Sequence, residues 1–129
     1  MNRFEKIVLG ITGGSHLSVH ALMLALPSLI PILRQEFSTG LATLGLVATV
    51  SAFMFGIGAI PSGLAESRLG GKTLLLLYLF GSGLAAIIVA LSNSLIILIF
   101  GLGLLGFSCS IYHPAVSYTH LTLPTNREV

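Results

Sequence analysis

Four stretches of this chain, Ile7 to Leu33, Leu44 to Leu64, Thr73 to Leu91 and Leu95 to about Ala115, run without a single Asp, Glu, Lys or Arg. About 20 apolar residues in a helix cross the hydrocarbon core, and lipid offers no partner to a free backbone N–H or C=O. Each stretch is therefore expected to be a spanning helix. A soluble fold fails on composition, because only 8% of the 129 residues are charged, against roughly 25% in a chain that must coat itself for water. The expected fold class is all-α, a polytopic transmembrane helix bundle. A cleaved signal peptide does not fit the first stretch, which is too long and carries histidines.

The few charges fall between these stretches. Arg3 and Lys6 precede the first, Arg68 and Lys72 lie between the second and third, and only Arg34, beside Glu36, falls on the other side. Cytoplasmic loops hold the excess of Lys and Arg, so the amino terminus is expected in the cytoplasm of a bacterium or archaeon, with the chain in the inner membrane. Trp is absent, which leaves interfacial anchoring to residues such as Phe4, Phe37 and Tyr78. No basic patch exists to track phosphates, so no nucleic-acid partner is expected. A single cysteine, Cys109, rules out an internal disulfide and is read as a small packing residue.

Polar side chains inside the first helix carry the chemistry. His16 and His20 are one turn apart and share a face, with Thr12 and Ser15 near it. Counted from Ile7, they lie about 13 and 20 Å along the axis, near mid-membrane. Ionisable groups at that depth face a cavity or a partner helix, and imidazole exchanges protons near neutral pH. Three readings stay open: a pair handling substrate or protons, a structural pair bonded to neighbouring helices, or a metal site. The metal reading is the weakest, since two ligands stand alone, and neither a metal nor a cofactor is expected. Pro27 and Pro31 each remove a backbone donor and are expected to kink this helix.

In the fourth stretch, Gly101-Leu-Gly103-Leu-Leu-Gly106 matches a dinucleotide-binding pattern. The pattern needs a strand before it and a helix opening on it, and here it lies inside an apolar helix. Its glycines are read instead as a site of close helix packing, together with Gly81, Gly83, Ala85 and Ala86. The stretch ends Ser108-Cys109-Ser110-Ile111-Tyr112-His113-Pro114-Ala115. About 27 Å from Leu95, His113 is expected near the cytoplasmic mouth, well below His20. Tyr112 and His113 are read either as pathway or gate residues, or as an interfacial aromatic with a proline-capped helix end.

Between the second and third stretches, Gly63 is expected to bring a helix end close to a neighbour. Gly70-Gly71 supplies a turn where positive φ is needed. Alone, this is a tight hairpin with its positive charges on the cytoplasmic side. The segment Gly63-Leu-Ala-Glu66-Ser67-Arg68-Leu-Gly70-Gly71-Lys72 also resembles the Gly-x-x-x-Asp-Arg-x-Gly-x-Lys/Arg signature of the major facilitator superfamily. Gly63, Arg68, Gly70 and Lys72 align, while Ser67 fills the aspartate position and Glu66 stands one place early. The resemblance implies a cytoplasmic gate loop whose acidic latch is altered here. His16, Pro27 and Pro31, and the Tyr112-His113-Pro114-Ala115 run, are similar to the fosmidomycin-resistance-like group of that superfamily, with His20 standing where the group has an aspartate.

The resemblance covers residues 7–115. It implies twelve helices in two halves that rock around a central cavity lined by the first and fourth, and export of small organic molecules in exchange for protons. The expected function is secondary active transport of an efflux type, not enzymatic catalysis. The alternative is a self-contained four-helix membrane protein, either a small dimeric exporter or a non-transporting assembly or packing subunit. A dimeric exporter is expected to carry a membrane-embedded glutamate in its first helix, and none is present. After Ala115 the sequence turns polar, and Val116 to Thr125 resembles the translated end of a sequencing-library adaptor. Residues 116–129 are therefore expected to be a non-native tail, and residues 1–115 the first four helices of a transporter whose carboxy-terminal half is missing.

Overall fold

The computed structural model describes residues 2–122. They form four α-helices, with no strand among the described residues: α1 (Arg3–Glu36), α2 (Leu41–Ala90), α3 (Leu95–Ser110) and α4 (Tyr112–Thr122). α1 opens on a reciprocal cap. The Glu5 backbone N–H donates to the Asn2 side chain at 2.8 Å, and the Asn2 N–H donates to the Glu5 carboxylate at 2.9 Å. This satisfies donors that a helix start leaves without partners.

α2 has 50 residues. Straight, it would extend about 75 Å, more than twice the hydrocarbon thickness. It is broken at Gly70, where φ is 74° and ψ 156°, a conformation that only glycine adopts without strain. The contacts of α3 give the directions of the two arms. On arm 41–69, Ser51 lies against Gly106, and Gly58 against Phe107 and Ser110. On arm 71–90, Gly81 lies against Ser108, and Ile88 and Val89 against Gly101. Numbers rise together along the first arm and α3 but run oppositely along the second. The arms are therefore antiparallel, and α3 packs on both.

α1, α2 and the run Leu95–Ser117 are each long and apolar enough to cross a membrane. With α2 folded in two, the chain is a multi-pass helical bundle, as its uncharged stretches predict. The turn is shorter than expected. Residues 61–69 and 71–72 are helical, so the expected loop is reduced to the single position that demands positive φ.

Small residues set the helix separations. A Cβ on Gly106 would collide with the Ser51 carbonyl oxygen, and one on Gly101 would meet the Val89 backbone nitrogen at 3.2 Å. Backbones this close need glycine on one side. Gly81 sits as tightly on Ser108, whereas a Cβ on Gly83 or Gly63 would meet nothing within 4 Å. The expected close approaches at those two positions are thus corrected: both glycines point away from the described neighbours. Gly58, not singled out from the sequence, is instead tightly enclosed by Phe107 and Ser110.

α1 buries a stripe of Thr12, Ser15, Val19 and Leu26. It stays helical through Pro27 and Pro31, whose missing N–H groups deprive the Met23 and Pro27 carbonyls of their usual donors. Beside its carboxy-terminal half lie two apolar cavities. One, of ≈ 220 Å³, separates it from the second arm of α2 and from α3. The other, of ≈ 130 Å³, faces the first arm. Cys109 is fully buried in the core, as its packing role requires.

Candidate functional site

His16 and His20 flank the buried stripe of α1, and both are exposed on the bundle surface. Their rings meet edge to face with centroids 4.6 Å apart, as one helical turn dictates. From α4, His113 brings its ring to 6.4 Å from His16, and Tyr112 to 5.6 Å. Phe55 on the first arm of α2 completes the group at 6.3 Å from His113. The fold thus gathers His16, His20, Tyr112 and His113 into one cluster, with the three imidazoles open and Tyr112 buried behind them.

Two expectations change here. His113 does not lie well below His20 but beside His16, one helical turn from His20. Pro114 does not cap a helix end. It sits in the first turn of α4, where its missing N–H is tolerated, and the helix runs on to Thr122. His113 is therefore followed by nine more helical residues, about 13 Å of helix.

A further change concerns Thr12, Ser15 and Tyr78. The first two do not extend the open polar face but are buried at the helix interface. There their carbonyls accept tyrosine hydroxyls: Tyr112 Oη donates to the Thr12 oxygen at 2.9 Å, and Tyr78 Oη to the Ser15 oxygen at 3.1 Å. Tyr78 is no interfacial anchor; it is fully buried with its ring 5.4 Å from that of Tyr112. Phe55 and Tyr78 are the members of the site that sequence reasoning missed. For Tyr78, a lone tyrosine in an otherwise uncharged span was the available signal, because a buried hydroxyl must find an acceptor.

The gate-loop residues lie apart from this cluster, at the α2 turn. Gly70 makes the turn, Glu66 is half-buried, and Ser67, Arg68, Lys72 and Gly63 are exposed. The Ser67 hydroxyl donates to the Leu64 carbonyl at 3.4 Å. Tyr78 meets Ser15, while Val89 and Ala90 line a cavity with Leu29 and Leu33, so the second arm of α2 runs in the same direction as α1 and the Gly70 turn lies at the end of the bundle where α1 starts. Arg3, Lys6, Arg68 and Lys72 consequently share one end. Pro27 and Pro31 are exposed on the carboxy-terminal half of α1. Among the described residues, no group of three His, Cys, Asp or Glu side chains is placed to hold a metal.

Among the described residues, no carboxylate, lysine or arginine joins the imidazole cluster. Its chemistry is hydrogen bonding and proton exchange by imidazole, beside two tyrosines already committed to backbone carbonyls. Compared with known proteins, residues 11–123 match the family description Major Facilitator Superfamily. No curated protein and no solved structure matches the chain.

Proposed function

The chain belongs to the major facilitator superfamily, a family of membrane transporters, and from that membership we propose that its open histidine face lines the substrate pathway. The observation that carries the reading is the convergence of His16, His20 and His113 on one exposed face, with ring centroids 4.6 and 6.4 Å from His16. Imidazoles facing lipid are costly, so this face belongs against a watered cavity or a partner helix. The Gly70 end, with Arg3, Lys6, Arg68 and Lys72, is the cytoplasmic end by the positive-inside rule. That leaves the amino terminus inside and the Gly63–Lys72 segment at the gate.

In this reading the chain contributes the first four helices of an efflux-type, ion-coupled transporter of small organic molecules in the inner membrane. The remaining helices close the cavity over the histidines. The motif spacing supports the fosmidomycin-resistance-like group, with His20 in place of an acidic residue. Inverted membrane vesicles carrying the complete transporter provide the test, with a dye reporting the pH gradient and a panel of small organic compounds as probes. Proton efflux triggered by a transported compound is the expected result, and none from vesicles carrying the 129-residue chain alone. A pH gradient unaffected by every compound that the complete transporter moves would remove the proton coupling.

A further inference from the structure

We propose that Tyr78 and Tyr112 are positioning residues for His16, acting as a paired clamp on the one turn of α1 that carries it. The proposal rests on the reading that the histidine face serves transport, and adds to it two residues that never face the cavity. α1 is flanked along its carboxy-terminal half by two apolar cavities, so packing there, through Val19 and Leu26, holds its rotation less tightly than a gap-free interface would. At Thr12 and Ser15 the situation reverses. Tyr112 from α4 and Tyr78 from the second arm of α2 donate to the carbonyls of these two residues, three positions apart. The carbonyls belong to the turn immediately before and beside His16.

Both hydroxyls are bound in fully packed surroundings, and the two rings meet edge to face at 5.4 Å, so neither tyrosine moves without the other. Tyr112 also stands 5.6 Å from His16 and 5.4 Å from His113. One ring therefore sets the separation of imidazoles carried on two different helices. A carbonyl has two lone pairs, so the Thr12 and Ser15 oxygens accept a tyrosine while keeping their helical bonds. The clamp fixes α1 without breaking it.

The test uses the 129-residue chain in lipid nanodiscs with isotope-labelled histidine, the His16 signal being identified by its loss in His16→Ala. Tyr78→Phe and Tyr112→Phe each remove one hydroxyl and keep the ring. Each is expected to shift the His16 imidazole signal and split it into more than one form. Ser62→Ala, which removes a buried hydroxyl bonded to the Gly58 carbonyl, is expected to leave it unchanged. An unmoved His16 signal in both tyrosine variants, or an equal shift in Ser62→Ala, would overturn the proposal. Should the variants not fold, the wild-type chain decides. Labelled at the tyrosine ring and threonine carbonyl carbons, it must show a short-range correlation between Tyr112 and Thr12, and absence of that correlation overturns the clamp. Transport separates the two ideas. If His16→Ala transports normally while the tyrosine variants shift the His16 signal, the clamp stands and the pathway reading falls.

Discussion

The Tyr112 hydroxyl donates to the Thr12 carbonyl at 2.9 Å, joining residues 100 positions apart. With its companion from Tyr78 to Ser15, it is a hydrogen bond between α1 and the rest of the bundle that depends on no helix-internal partner. Interhelical hydrogen bonds in membranes average about 0.6 kcal/mol, with a maximum of about 1.7. Tyr112→Phe and Tyr78→Phe are each expected to cost roughly that much in reversible detergent unfolding. Because the rings touch, the double variant should depart from additivity.

Helix separation at α3 depends on Gly106. Gly106→Val forces a side chain into the Ser51 backbone, and overpacking of this kind costs typically about 1–3 kcal/mol. Gly83→Ala, with nothing within 4 Å of its Cβ, should be neutral. Thermal unfolding of the two variants side by side checks the contrast.

The α2 turn makes a similar pair. Gly70→Ala places a side chain at φ 74° and should cost about 1–3 kcal/mol, whereas Gly63→Ala should cost nothing. Equal stability of the two variants would show that the turn does not require the glycine conformation.

Much of this bundle is legible in the sequence, because lipid imposes its constraints residue by residue. Uncharged runs of membrane length give the spans, and the Gly70-Gly71 pair gives the turn. The His16–His20 spacing gives a shared face. What is not legible depends on how each helix is rotated and how far it continues. Gly58 and Gly83 look alike in an apolar run, yet only one meets a neighbour. Tyr78 reads as an anchor until its acceptor, the Ser15 carbonyl, is seen 63 positions away. Pro114 reads as a helix end, and so misplaces His113, because sequence alone does not separate a capping proline from one in a first turn.

Topology has its own test. Ser67→Cys, at the Gly70 end, should react with a membrane-impermeant thiol reagent only in inverted vesicles. Asn93→Cys, in the exposed turn before α3, should react only in intact cells. Cys109 is buried and should stay unlabelled in both preparations. The reverse labelling pattern would turn the chain over in the membrane.

Whether the open imidazole face serves transport is decided by transport through His16→Ala and His20→Ala in the complete protein, measured alongside their membrane insertion. Normal insertion with transport abolished in either variant is the predicted result. Wild-type transport rates in both variants would contradict it.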